Sequence, residues 1–417
     1  MKPIITLFFA ALCLPAIAQF NILSYGPGYQ DQVFYNLKTE ETQTISHSSY
    51  DIYVSTAAGS ASIYVNEGVS SSMSNPQAEV ELYITGSMDF SAVDTANMER
   101  IYNDESHAGQ GAFNIVRNTG DPFDLGWGRY DPVTHAVSGN RIFVIRLRDG
   151  AYHKIFVESL ASGNFNIQVA PLGTSHSTDI EIRKADYVGP YAFISLVNNS
   201  VHDFAAEPWD LWFTRYTTPL DDGSGNILQY VVAGALLHPE IKAAKADKVD
   251  PATVEWSDYE SELSDTPSIV GHDWKDFSIM TFTWTVFEDL VYFIERENGE
   301  VWQLQFIDFE GSSTGSLTIR AENVGMTSSF QGVEIEKHPL TLYPNPVYSQ
   351  GFTLRSQQSI GSYQIEIVSA HGKVVHTEKI TLLPGDSPKI QAPKNPGTYY
   401  LRWLRGGKSG VIPFVVL

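Results

Sequence analysis

The middle of this 417-residue chain repeats itself, and a repeat restricts the fold to units that half of the segment can specify. Val33-Phe34-Tyr35-Asn36-Leu37 matches Ala192-Phe193-Ile194-Ser195-Leu196, and Tyr50-Asp51-Ile52 matches Trp209-Asp210-Leu211. The offset is 159 in both cases (192 − 33 and 209 − 50). Further along, Asp94 followed by Ala96-Asn97-Met98-Glu99 parallels Asp250-Pro251 followed by Val254-Glu255. Each reads as a short capped helix, with Pro251 suited to a first turn. Gly126-Trp127 then parallels Gly271-His272-Asp273-Trp274. A hairpin closes each half, one turning at Asp149-Gly150 and the other at Asn298-Gly299. Both dipeptides predict two-residue turns, because both central positions tolerate positive φ. Five elements in one order indicate two copies of one β-rich domain, 19–174 and 175–332.

The N-terminal end points to export. Lys2 precedes an apolar run from Ile4 to Leu14, then Pro15-Ala16-Ile17-Ala18-Gln19. This reads as a signal peptide over 1–18, cut after Ala18. The run is shorter than the roughly 20 residues a membrane span needs, and no later stretch reaches that length. Cys13 is the one cysteine, and Leu12 before it is not the small residue a lipoprotein signal requires. A mature chain without thiols excludes disulfides, thiolate metal sites and cysteine catalysis. The net charge of −21 argues against nucleic acid or anionic lipid as partners. Gly, Ser, Thr, Tyr, Phe and Val are plentiful and helical heptads are absent, so the expected fold class is all-β.

At the other end, Tyr343-Pro344-Asn345-Pro346 opens a β-patterned segment containing His371-Gly372-Lys373-Val374-Val375 and closing with Gly397-Thr398-Tyr399-Tyr400-Leu401-Arg402-Trp403. This order and spacing resembles the C-terminal sorting domain of type IX secretion substrates in Bacteroidetes. The resemblance covers 339–417, behind a linker at 333–338. It implies an immunoglobulin-like β-sandwich, the type IX machinery as partner, and passage through the periplasm to the outer cell surface or the medium. The motif residues are Tyr343, Pro344, Asn345, Pro346, Gly372, Gly397 and Tyr399. The chain departs from the pattern at Pro413-Phe414-Val415-Val416-Leu417, which lacks a basic residue.

The second copy carries another resemblance. Trp209-Asp210-Leu211-Trp212-Phe213-Thr214-Arg215-Tyr216-Thr217-Thr218 is followed by Tyr230-Val231-Val232-Ala233-Gly234-Ala235-Leu236-Leu237, Gly271-His272-Asp273-Trp274-Lys275 and Phe309-Glu310-Gly311-Ser312-Ser313-Thr314-Gly315. This succession resembles the HmuY-like family of secreted or surface-anchored haem-binding proteins, more loosely in the first copy, where Tyr50 replaces Trp209. The resemblance implies haem held between loops by two axial His or Met side chains. The candidates are His107, His135, Met73, Met88 and Met98 in the first copy, and His238, His272 and Met280 in the second. Such a site needs two ligands on opposite faces of the iron, within aromatic and aliphatic walls. His135 follows Trp127 and Tyr130, His272 adjoins Trp274, and His238 follows Leu236-Leu237 before Pro239. The 271–275 segment reads equally as a structural corner, with Trp274 in the core and His272 pairing with Asp273. His47, His107, His135 and His153 lack equivalents in the second copy, so at most one copy is expected to bind iron.

Catalytic signals do not survive inspection. Gly311-Ser312-Ser313-Thr314-Gly315 fits the nucleophile-elbow pattern, but an alternating strand follows where a helix is required. Asp221-Asp222-Gly223-Ser224-Gly225-Asn226 lacks the oxygen spacing of a calcium loop and reads as a hairpin tip. The acidic run from Asp250 to Asp265 reads as a solvated face. The sequence therefore points to a non-enzymatic exported binding protein, with haem or another porphyrin as the leading ligand. The alternative is a structural or adhesive surface protein that grips glycan or protein through exposed aromatics such as Trp212 and Tyr216. Alternation places Trp209, Leu211 and Phe213 on one strand face, with Trp212 and Thr214 on the other.

Overall fold

The computed structural model describes residues 19–71, 78–327, 340–348, 351–356, 361–369, 373–382, 387–405 and 408–417. The expected leader (1–18, with Cys13), Met73, the linker 333–338 and His371-Gly372 lie outside the described residues. Regular structure among the described residues is strand with a few single 3₁₀ turns, so the fold is all-β. The chain packs as two units, 1–327 and 328–417.

In the first unit the repeat governs the pairing. One sheet runs in the order Gln19–Ser24, Ser316–Met326, Glu300–Phe309, Leu290–Glu295, Lys242–Asp247. Its counterpart runs Thr178–Arg183, Asn164–Pro171, Tyr152–Ala161, Ile142–Arg146, Glu81–Ile84, Glu99–Ile101. Each sheet is thus edged by a strand from the other copy. Two smaller sheets take two strands from each copy, which meet in the middle of the sheet. Asp31–Tyr35 pairs with Leu211–Asp221 in the register Val33↔Phe213, Phe34↔Trp212, Tyr35↔Leu211. Tyr191–Ser195 pairs with Ile52–Ser55 in the register Ala192↔Val54, Phe193↔Tyr53, Ile194↔Ile52. The second register is the first with the copies exchanged.

The cores follow the exchange. Leu23, Tyr25, Val33 and Tyr35 pack with Phe213, Trp274, Tyr292 and Phe306. Ala192 and Ile194 pack with Ile52, Val54, Trp127 and Phe143. The division at 174/175 therefore marks where the sequence pattern restarts, not where one packed body ends. The first core is built from a continuous stretch, about 52–196, and the second from 211–321 closed by 19–37. A strand at a sheet edge satisfies its hydrogen bonds wherever the opposing ladder lies, so spatial proximity and not chain order selects the partner.

Local expectations change in two places. The segments at Asp94 and Asp250 form turns and not helices: the Asp94 and Asp250 carboxylates accept the N–H of Ala96 and Ala252, both at 2.9 Å. After the first of these turns the chain enters the strand Glu99–Ile101, where the ladder to Glu81–Ile84 supplies the bonds a helix would have made. Both hairpins close through three-residue loops. Leu147 and Ala151 pair across one, Arg296 and Glu300 across the other, with Gly150 and Gly299 at φ +85° and +82° in the left-handed position.

The second unit orders its strands as Val374–Leu382, Gly361–Ser369, Gly397–Arg405, Lys408–Val416, Leu340–Tyr348, Gly351–Ser356, Lys389–Ile390. Leu354, Tyr363, Ile365, Leu401 and Phe414 form its core. Within the strand Leu340–Tyr348, Asn345 ties the Tyr343–Pro346 segment to the final strand, donating to Pro413 O at 3.2 Å and accepting Val415 N–H at 3.1 Å. Tyr399 is buried against Phe414 and donates to Asn395 O at 2.9 Å, just beyond Gly397.

Candidate ligand-binding cleft

The exchanged strands bring an aromatic cluster together between the two cores. Strand alternation sends Leu211 and Phe213 into one core and Ile52 and Val54 into the other, which leaves Trp212 and Tyr53 facing the junction. Trp209 joins Trp212 in this cluster and does not share the Leu211 face. The strand starts at Leu211, so alternation does not extend back to residue 209. Gln32, fully buried, ties the copies by accepting at Oε1 from Tyr50 Oη (3.1 Å), Trp212 Nε1 (2.9 Å) and Thr214 Oγ1 (3.2 Å).

Beside this cluster lies a small cavity of about 50 Å³. Tyr53 and Tyr64 stack at 4.7 Å, and Tyr191 stands edge-on to both at 5.2 and 5.9 Å. Trp212 meets Tyr53 edge-on at 5.5 Å, and Tyr216 completes the wall. Glu67 supplies a buried carboxyl, accepting Asn103 N–H at 2.9 Å and Thr217 N–H at 3.2 Å. Burial pushes its pKa up to about 7, against which these hydrogen bonds act. The Tyr216 hydroxyl is buried without a hydrogen-bond partner.

The segment Asn103-Asp104-Glu105 also borders a larger cleft of about 550 Å³, walled by Ile84, Ile101, Ile115 and Val116. Arg100 lies on that cleft and is ion-paired with Glu79. A separate cleft of about 330 Å³ is bounded by Trp209, His238 and Arg296, the last paired with Asp210 at 2.8 Å.

The four sequence-predicted histidines are dispersed. His107 lines the small cavity, and its Nδ1 is held by Asp104 at 3.0 Å and Ser106 at 2.8 Å. His135 sits at a hairpin tip with φ +57°, its Nδ1 2.7 Å from Tyr130 Oη. His238 packs edge-on against Trp209 at 4.6 Å in the 330 Å³ cleft, where burial lowers its pKa to about 4. His272 lies 6.4 Å from the Tyr216 ring, its pKa lowered by burial and by Lys275. His272 does not line the cavity. Asp273 pairs with Lys245 at 2.6 Å, not with His272. Trp274 stacks on Phe306 at 3.8 Å in the core, so the segment is a corner. Met88 and Met280 are exposed.

The aromatic surface of the adhesive reading also changes. Trp212 and Tyr216 are only 4% and 6% exposed, because the exchanged strands cover them. Glu67 escaped the sequence reading, which named His47 without making it a ligand candidate. Glu67 meets partners from residues 103 and 217, which no local pattern joins to it. His47 is fully buried with neither ring nitrogen hydrogen-bonded, and burial together with Arg148 and Arg215 holds its pKa well below the usual imidazole value.

Residues 341–416 match the protein family described as the secretion system C-terminal sorting domain. The chain carries a type IX sorting tail. The protein is therefore exported, to the cell surface or the medium. Among solved structures, apo PinO from "Porphyromonas gingivitis" is similar at 12% identity, over 74% of this chain and 98% of that one, with a TM-score of 0.24. An apo HmuY analogue from Tannerella forsythia is similar at 17% identity, over 39% and 100%, with a TM-score of 0.15. Dimeric latent PorU from Porphyromonas gingivalis is similar at 9% identity, over 95% and 34%, with a TM-score of 0.16. No curated protein sequence matches the chain.

Proposed function

We propose that this chain is an exported, non-enzymatic binding protein whose ligand sits in the cleft between the exchanged copies. The supporting observation is the convergence of Tyr53, Tyr64 and Glu67 from the first copy with Tyr191, Trp212 and Tyr216 from the second around one cavity. Large aromatic walls with a few fixed polar groups are what a small-molecule site requires. Such a site tests directly: Tyr191→Ala should weaken ligand capture while leaving export unchanged. Equal capture by both proteins would remove the cleft from consideration.

Porphyrin is a second reading, favoured by His107. A carboxylate at Nδ1 orients an imidazole so that Nε2 is free for a metal, and Asp104 stands in that relation to His107. The 550 Å³ cleft alongside is of ligand size. A two-histidine site does not fit, since His107 is the one candidate histidine lining either of these adjoining spaces. His107 would be the protein's ligand to haem iron, and the haem would supply redox and ligand-binding chemistry. Titration of the mature chain with haemin checks this. A Soret shift that disappears in His107→Ala supports it, and a spectrum identical to free haemin discards it.

A further inference from the structure

We propose that the inner cavity receives an organic ammonium head group, with the remainder of the ligand lying along the aliphatic side of the adjoining cleft; this rests on the binding-protein reading above. Four features select that chemistry. The walls are aromatic rings in differing orientations (Tyr53 and Tyr64 stacked, Tyr191 and Trp212 edge-on), the arrangement that attracts a cation through ring quadrupoles. The ionisable side chains lining the cavity are Glu67, Asp104, Glu105, His107 and tyrosines, with neither lysine nor arginine among them. Glu67 is buried, and it accepts hydrogen bonds from uncharged groups of Asn103 and Thr217, so an ionised carboxylate there lacks a counter-charge. Finally, Tyr216, 6% exposed, belongs to the same wall, and its buried hydroxyl has no hydrogen-bond partner.

Size and surroundings agree. A cavity of about 50 Å³ admits a head group but not a macrocycle. The space beyond Asn103-Asp104-Glu105 is lined by Ile84, Ile101, Ile115 and Val116, which suit an apolar body, and also by Glu99, Gln229 and Arg100, the last ion-paired with Glu79. The cleft at Trp209 differs in kind, because it contains the cation Arg296, which pairs with Asp210 there. The net charge of −21 raises the local concentration of any cationic ligand.

Isothermal titration of the full mature chain with choline, against its uncharged isostere 3,3-dimethylbutan-1-ol, tests the proposal. The expected result is saturable choline binding roughly tenfold or more tighter than the isostere. Glu67→Gln should remove that preference. Glu105, whose carboxylate accepts from Thr218 Oγ1 at 2.6 Å and is partly exposed, provides a second variant, Glu105→Gln, should Glu67→Gln not fold. It should reduce choline binding severalfold without changing the isostere. Equal binding of choline and isostere would overturn the ammonium assignment while leaving the cleft as a ligand site. Absence of binding by both, together with an unaltered haemin spectrum, would overturn the cleft reading as well.

Discussion

Asp210 accepts the backbone N–H of Leu37 at 2.7 Å across 173 residues of chain. Asp51, its repeat equivalent, accepts the N–H of Leu196 at the same distance. These carboxylates clamp the ends of the two exchanged strands, and Asp210 is additionally paired with Arg296 at 2.8 Å.

The two clamps should therefore differ in strength. Asp210→Ala orphans the Leu37 amide and leaves the half-buried Arg296 guanidinium with Glu300 as its remaining carboxylate, and should cost about 3 kcal/mol. Asp51→Ala leaves the Leu196 amide without its acceptor and removes a charge that faces Arg148 without a direct ion pair, and should cost about 1–2 kcal/mol. Urea denaturation of each variant checks the order; equal losses would show that Arg296 adds nothing to the clamp.

The segment 19–37 should behave as a detachable closing piece. It contributes Leu23, Tyr25, Tyr29, Val33, Tyr35 and Leu37 to the second core. Its deletion should unfold that core while the continuous first core persists, giving a protease-resistant fragment near 50–200. Adding the 19–37 peptide in trans should restore protection. Uniform digestion of the truncated protein would show that the two cores fold only together.

Glu67 should impose a pH dependence on stability. Its carboxyl is held at about 7 by burial, above the unfolded value, so the native state binds the proton more tightly than the unfolded chain does. The contribution is intact below the unfolded pKa and declines as pH rises through 7, by about 3 kcal/mol in all. Glu67→Gln should flatten the pH profile of Tm between pH 4.5 and 7; an unchanged slope would place the titration on another group.

The 311–315 turn should prove structural. Ser313 Oγ donates to Glu310 O at 3.2 Å, so Ser313→Ala should shift stability by less than about 1 kcal/mol. Gly315 has φ +69°, and a Cβ there would lie 2.2 Å from Gly26 O. Gly315→Ala should cost about 2–4 kcal/mol, combining backbone strain with that clash. Thermal melts of both variants decide the matter, and a fully stable Gly315→Ala protein would refute it.

Removing 340–417 should abolish delivery to the surface while sparing the fold of 19–327, which packs as its own unit. Cell fractionation and circular dichroism read these outcomes separately. Loss of folding in the truncated chain would make the tail integral to the fold.

Much of the architecture was legible in the residues. Period-two patterning and Asp-Gly and Asn-Gly turns marked an all-β chain, and the 159-residue offset recovered strand equivalences that the pairing registers repeat residue by residue. The tail's Tyr343–Pro346 and Gly397–Tyr399 segments marked the export signal, because such motifs are local. The binding cleft was not legible. Its walls come from residues 53, 64, 67, 103, 191, 212 and 216, whose nearness follows from the strand exchange. Sequence alone determined which residues alternate, turn and repeat, since those preferences act over a few neighbouring positions. Tertiary structure decided which copy's edge strand completes which sheet. That choice buried Trp212, placed Glu67 among backbone amides and parted His107 from the other candidate histidines, because edge pairing and burial depend on spatial neighbours that no local pattern encodes.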